Sequence, residues 1–127
     1  MQISDSQTGE ASLAAFGIDA IRLLCAGDIA AVADRYGYAI ALGRDPSDAI
    51  RDDLASCLSE VHAVSLLAAP KVTTASVRYF EPNDSGLFAL VQAVAPAENG
   101  TGVLVELVVT TKEMLMHVSL EQLSVAA

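Results

Sequence analysis

The run Asp45-Pro46-Ser47-Asp48, closely followed by Asp52 and Asp53, is the densest group of chemically capable side chains in the sequence. Carboxylates grouped this way can do two things: start a helix, or present negative charge to a cation or a basic protein. Asp45 has the character of an N-cap, Pro46 suits the first helical position, and Asp48 stands where an acidic side chain reaches orphan amides. Local structure therefore accounts for Asp45 and Asp48. It does not account for Asp52 beside Asp53, nor for Asp48 and Asp52 at an i,i+4 spacing, where like charges cost on the order of a few tenths of a kcal/mol. A basic partner would relieve that repulsion.

A second group, Asp34, Arg35, Tyr36, Tyr38 and Arg44, mixes charge with amphipathic rings as protein interfaces do. The competing account makes Tyr36 a core residue, leaves Asp34 and Arg35 in solvent, and pairs Arg44 with Asp45 or Asp48. Tyr38 is the member that most merits testing as a contact. The candidate partner-binding set is thus Asp34, Tyr38, Asp45, Asp48, Asp52 and Asp53.

Catalysis has little to draw on. The histidines are His62 and His117, and neither stands in an acid–base or nucleophile motif. Cys57 with His62 is an isolated pair at a poor helical interval, so no metal site is expected, and no glycine-rich phosphate cradle suggests a nucleotide cofactor. Arg78 is expected to pair with Glu106 or Glu81 at the surface. Tyr79, Phe80 and Phe88 are expected to fill the core.

The 127 residues carry a net charge of -9. Residues 1–60 hold ten Asp/Glu against four Arg, and residues 61–127 hold six against three Lys/Arg, so the first half is the more acidic. Such a field repels phosphate backbones and attracts cationic proteins, which argues against nucleic-acid binding. Apolar runs are too short to cross a bilayer. The amino-terminal residues lack a leader's basic region, and two unpaired cysteines suit a reducing compartment; a cytoplasmic protein is expected.

The elements that must position these groups follow from periodicity. Residues 1–10 read as a flexible tail and residues 11–127 as one α+β domain. Leu13, Phe16, Ala20 and Leu24 mark a first helix from about Ala11 to Ala26. Gly27-Asp28 stops it and caps a second helix running to about Leu42 with Gly37 inside it, and a third runs from Pro46 to about His62. Val64–Ala69 fits either a helical extension or a segment crossing the core. Val72–Phe80, Leu87–Ala95 and Val103–Thr110 then read as strands, and Met114–Val125 as a fourth at the sheet edge, although Ser119–Leu123 also fits a helical turn. The expected fold is three N-terminal helices packed on one face of a C-terminal antiparallel sheet of about four strands.

In size, charge and an α+β layout spanning about residues 11–125, the chain resembles the small acidic immunity proteins that neutralise bacterial polymorphic toxins, including those of contact-dependent inhibition systems. The resemblance implies a non-enzymatic inhibitor covering the cleft of a basic toxin such as a nuclease, with Asp48, Asp52 and Asp53 as its carboxylates. Gly27-Asp28 before an alanine-rich helix, with a late antiparallel sheet, is similar to nuclear-transport-factor-2-like domains, which implies a small-ligand pocket or an enzyme. The third reading is a homodimer or larger homo-oligomeric structural protein paired through the apolar strand Met114–Leu120.

Overall fold

The computed structural model describes residues 1–71 and 74–126. Three α-helices lie in the first half of the chain: α1 (Glu10–Cys25), α2 (Ile29–Tyr36) and α3 (Pro46–Glu60). Gly9 starts α1, whose Leu13, Ala20, Ile21 and Leu24 form its buried stripe. Asp28 caps α2 by accepting a 3.2 Å hydrogen bond from the Ala31 amide. Asp45 caps α3 by accepting one from the Asp48 amide, also 3.2 Å, with Pro46 at the first turn. α3 is closed by His62 at φ 58, whose left-handed backbone lets the Ala63 amide donate to the Leu58 carbonyl.

The sheet is antiparallel and has five strands rather than about four, in the order β1-β5-β4-β3-β2, where β1 is Gln2–Ile3. β2 is Ser76–Tyr79, β3 Leu87–Pro96, β4 Gly102–Lys112 and β5 Leu115–Val125. Along β3 and β4 every second residue is buried: Ala89, Val91, Ala93 and Ala95, then Val103, Val105, Leu107 and Val109. This is the period-2 pattern of a sheet covered on one face. α1 lies mainly over β3, α3 over β5, and α2 between the two helices. Small residues permit the close approach: a Cβ added to Gly17 of α1 would lie 2.9 Å from Val91 Cγ1. Leu13, Ile21, Ile50, Leu107 and Leu120 fill the space between the layers.

Several expectations are corrected. Residues 1–10 are not simply a tail. Gln2–Ile3 form β1, Gln2 pairs with His117 and Ile3 with Met116, and Ile3 is buried. β5 is consequently an inner strand, and it stays extended through Ser119–Leu123. An extra residue, Glu121, falls between the pairs Leu107–Leu120 and Glu106–Gln122. That bulge shifts the alternation, so Leu120 and Leu123 both face the core. Met114 belongs to the turn, not the strand: Glu113 and Met114 form a two-residue hairpin loop with φ of 53° and 67°.

α2 ends at Tyr36, not at about Leu42, because Gly37 takes φ 67 and its amide closes the last turn on the Ala33 carbonyl. Val64–Ala69 extends no helix; Leu66 forms an isolated antiparallel bridge with Ala97. The beginning of the first predicted strand, Val72 and Thr73, lies outside the described residues. Among the described residues no helix is long and apolar enough to cross a membrane.

Candidate protein-binding surface

The segment 37–45 between α2 and α3 folds back over the end of the helical layer, and one arginine fixes it. Arg44 Nε donates to the Ala41 carbonyl at 2.8 Å and its Nη2 to the Ile40 carbonyl at 2.9 Å. The same guanidinium forms an ion pair with Asp53 of α3 at 3.1 Å. Tyr38, only 7% exposed, donates its hydroxyl to the other Asp53 oxygen at 2.6 Å. The Ala39 amide donates to the Leu120 carbonyl, which ties the segment to the edge of β5 next to β1.

The electrostatics follow from those contacts. Hydrogen bonds from Arg44 and then Tyr38 hold the Asp53 carboxyl below its ordinary value. Burial, followed by the hydrogen bond to Asp53, pushes the Tyr38 hydroxyl well above its ordinary value. A matching cluster joins α2 to α1. There Asp19 accepts from Tyr36 at 2.5 Å and from Arg35 at 2.6 Å. The Tyr36 hydroxyl is likewise pushed up by burial and then by Asp19. Two Tyr–Asp–Arg clusters therefore stand on either side of the end of α2.

This arrangement divides the sequence-derived set. Tyr38 and Asp53 lock the loop to α3, so Tyr38 is an internal strut and not a surface contact. Asp45 is occupied as a cap. Asp48 is exposed and paired with Arg51 at 3.2 Å along the same helix. Asp34 and Asp52 are exposed. Arg44 pairs with neither Asp45 nor Asp48, and Arg35 is pinned rather than merely solvated. Arg78 lies over the ring of Phe80, just beyond the end of β2, with 5.5 Å to the centroid, while Glu106 accepts from Gln122 across β4 and β5.

What the sequence reading missed is Leu42. It is 84% exposed and sits at φ 54, in a backbone region that costs a branched apolar residue of this size roughly 1 kcal/mol or more. The loop immobilised by Arg44, Tyr38 and Asp53 thus ends in an apolar side chain just before the acidic start of α3. The available signal was the pair Leu42-Gly43 after the apolar run, which marks a turn and not a helix end.

The remaining reactive groups do not converge. His62 is exposed at the end of α3, whereas His117 lies on β5 opposite Gln2. Cys25 and Cys57 are free and buried, and burial raises both thiols above their ordinary value, which keeps them in the weakly nucleophilic protonated form. Among the described residues no group of three or more His, Cys, Asp or Glu is placed to hold a metal ion. A shallow cavity of about 350 Å³ is lined by Met1, Ala15, Phe16, Asp19, Arg35 and Tyr36, but Asp19 is already bonded to Arg35 and Tyr36, and the Met1 ammonium to the Val118 carbonyl. Comparison with protein-family models, curated proteins and solved structures finds no match for this chain.

Proposed function

We propose that this chain is a non-enzymatic acidic protein-binding domain whose loop 37–45 and α3 dock a basic protein. In its most specific form it is an immunity-type inhibitor covering a basic toxin such as a nuclease. The observation that carries the reading is Leu42: an exposed apolar anchor held in strained backbone by a bonded loop, with exposed Asp34, Asp48 and Asp52 on the flanking helices. Binding hot spots have this composition, an anchor ringed by polar groups that steer and exclude water. Immobilising the loop beforehand reduces the ordering cost of association. Backbone strain at an exposed leucine has no packing benefit to offset it in the isolated chain, and contact with a partner would supply one.

Affinity capture at low salt, with mass spectrometry of what is retained, tests the reading. A basic protein should be recovered and should elute as ionic strength rises. With that partner in hand, Leu42→Ala should speed dissociation by about tenfold or more, and Asp34→Lys with Asp52→Lys should chiefly slow association. If no basic protein is captured, or if these variants bind as the parent does, the proposal fails.

A further inference from the structure

The face of the sheet turned away from the helices has an order of its own. Register places Ser76, Gln92, Glu106 and Gln122 in one row across β2, β3, β4 and β5. On one side of this polar row lie Arg78, Leu90, Val108 and Ser119, and on the other Val94, Leu104 and Ser124. Four aliphatic residues on a face that no helix covers depart from the polar outer alternation of a solvated antiparallel sheet, and Val94 is 46% exposed. The edge beyond β5 is meanwhile occupied: β1 pairs with His117 and Met116, Met1 bonds to Val118, and Ala39 takes the Leu120 carbonyl.

We propose that this outer face is a self-association surface, on which two copies pack sheet to sheet about a two-fold axis parallel to the strands and lying between β3 and β4. The occupant is a second copy because the face complements itself under that operation. The axis lays β4 on the partner's β3 and β5 on the partner's β2, while each residue keeps its height along the strands. Glu106 then meets Gln92, and Gln92 meets Glu106, as the reciprocal contacts of an isologous interface. The aliphatic rows meet aliphatic rows. Arg78 comes beside the row of Ser119, one step from Glu121, so opposite charges face each other twice.

The area suffices. Three strands of ten or eleven residues plus the shorter β2 cover roughly 600 Å² per copy at the usual strand spacing and rise. The total of about 1,200 Å² is at the lower end for specific interfaces. The face carries Arg78 against Glu106 and Glu121, a far milder imbalance than the chain's -9, so stacking here brings little like charge together. The helical layer and Leu42 stay uncovered, which makes this inference independent of the proposed partner.

Sedimentation velocity of the full chain alone, from low to high micromolar concentration, is the test. The expected result is reversible dimerisation of the 13.2 kDa chain. Val108→Asp, with Leu104→Asp as an independent second variant, should weaken dimerisation by about 100-fold or more, with an unchanged far-ultraviolet dichroism spectrum. Arg78→Glu should weaken it, and adding Glu121→Arg should restore it. A chain that stays monomeric throughout overturns the proposal. So does a dimer indifferent to Val108→Asp and Leu104→Asp, or one that Glu121→Arg fails to rescue.

Discussion

Replacing Tyr38 by phenylalanine removes one oxygen atom and keeps the ring that the core surrounds. The lost bond is the 2.6 Å donation to Asp53. A hydrogen bond to a charged acceptor contributes about 1.5–3 kcal/mol, and because the Asp53 side chain is 27% exposed, water replaces part of the loss. A destabilisation of about 1.5 kcal/mol is therefore expected. For a chain of 127 residues, an unfolding entropy of about 2.1 cal/mol/K per residue converts this to a melting point lower by roughly 5 °C. The same variant has a signature at high pH. Tyr36 and Tyr38 both have hydroxyls raised above the ordinary 10.0. Their stabilisation is complete below that pH and is lost as the pH climbs towards the folded-state values. Each group then contributes a slope of about 1.4 kcal/mol per pH unit, so Tyr38→Phe should remove half of their combined slope above pH 10.0. Urea unfolding across this range, together with hydrogen exchange at the Leu42–Arg44 amides, measures both effects. An unchanged urea midpoint with an unchanged alkaline slope would refute the assignment of Tyr38 as the strut of the loop.

The turn Glu113-Met114 holds two non-glycine residues at positive φ, so Glu113→Asn with Met114→Gly should raise stability by about 1 kcal/mol, read from the thermal midpoint. Gly17→Ala gains about 1 kcal/mol of helix propensity, but it sets a Cβ 2.9 Å from Val91 Cγ1 and 3.2 Å from Ala75 Cβ. Overpacking of this kind costs about 1–3 kcal/mol, so the variant should lose roughly 1 kcal/mol in urea unfolding. Asp53 is depressed from its ordinary 3.8, so its stabilisation is complete above that pH and lost as the pH falls through the lower folded-state value. Acid unfolding of Asp53→Asn should therefore lack that part of the decline.

The helix starts were legible because they are local: Asp28 and Asp45 bond to amides three residues on, and no distant group is needed. The end of α2 was not. Tyr36, Ile40 and Ala41 keep an apolar spacing, yet Tyr38 and Ala41 are buried by a loop folded onto α3 and β5, and tertiary burial there mimics helical periodicity. β1 could not be read, since a two-residue strand exists only through its pairing with His117 and Met116. The bulge at Glu121 is likewise a property of two strands together. Asp45 or Asp48 as the partner of Arg44, and a solvated Arg35, failed for the same reason. Arg44 reaches Asp53 because the chain turns back, and Arg35 reaches Asp19 because α1 and α2 lie side by side. The acidic surface was legible as composition, but which carboxylates are spent inside the fold depended on geometry, and Leu42 became visible only with its backbone angle.

The pairing of Gln2–Ile3 with β5 also dictates an order of assembly. Met1 waits for Val118, a separation of 117 residues, and all three helices precede the strands that cover their apolar stripes. During synthesis on the ribosome, Leu13, Ile21 and Ile50 therefore emerge long before Leu107 and Leu120 exist to receive them. Closure is a late, long-range event, the kind that slows folding and leaves a nascent chain exposed to self-association or chaperone capture.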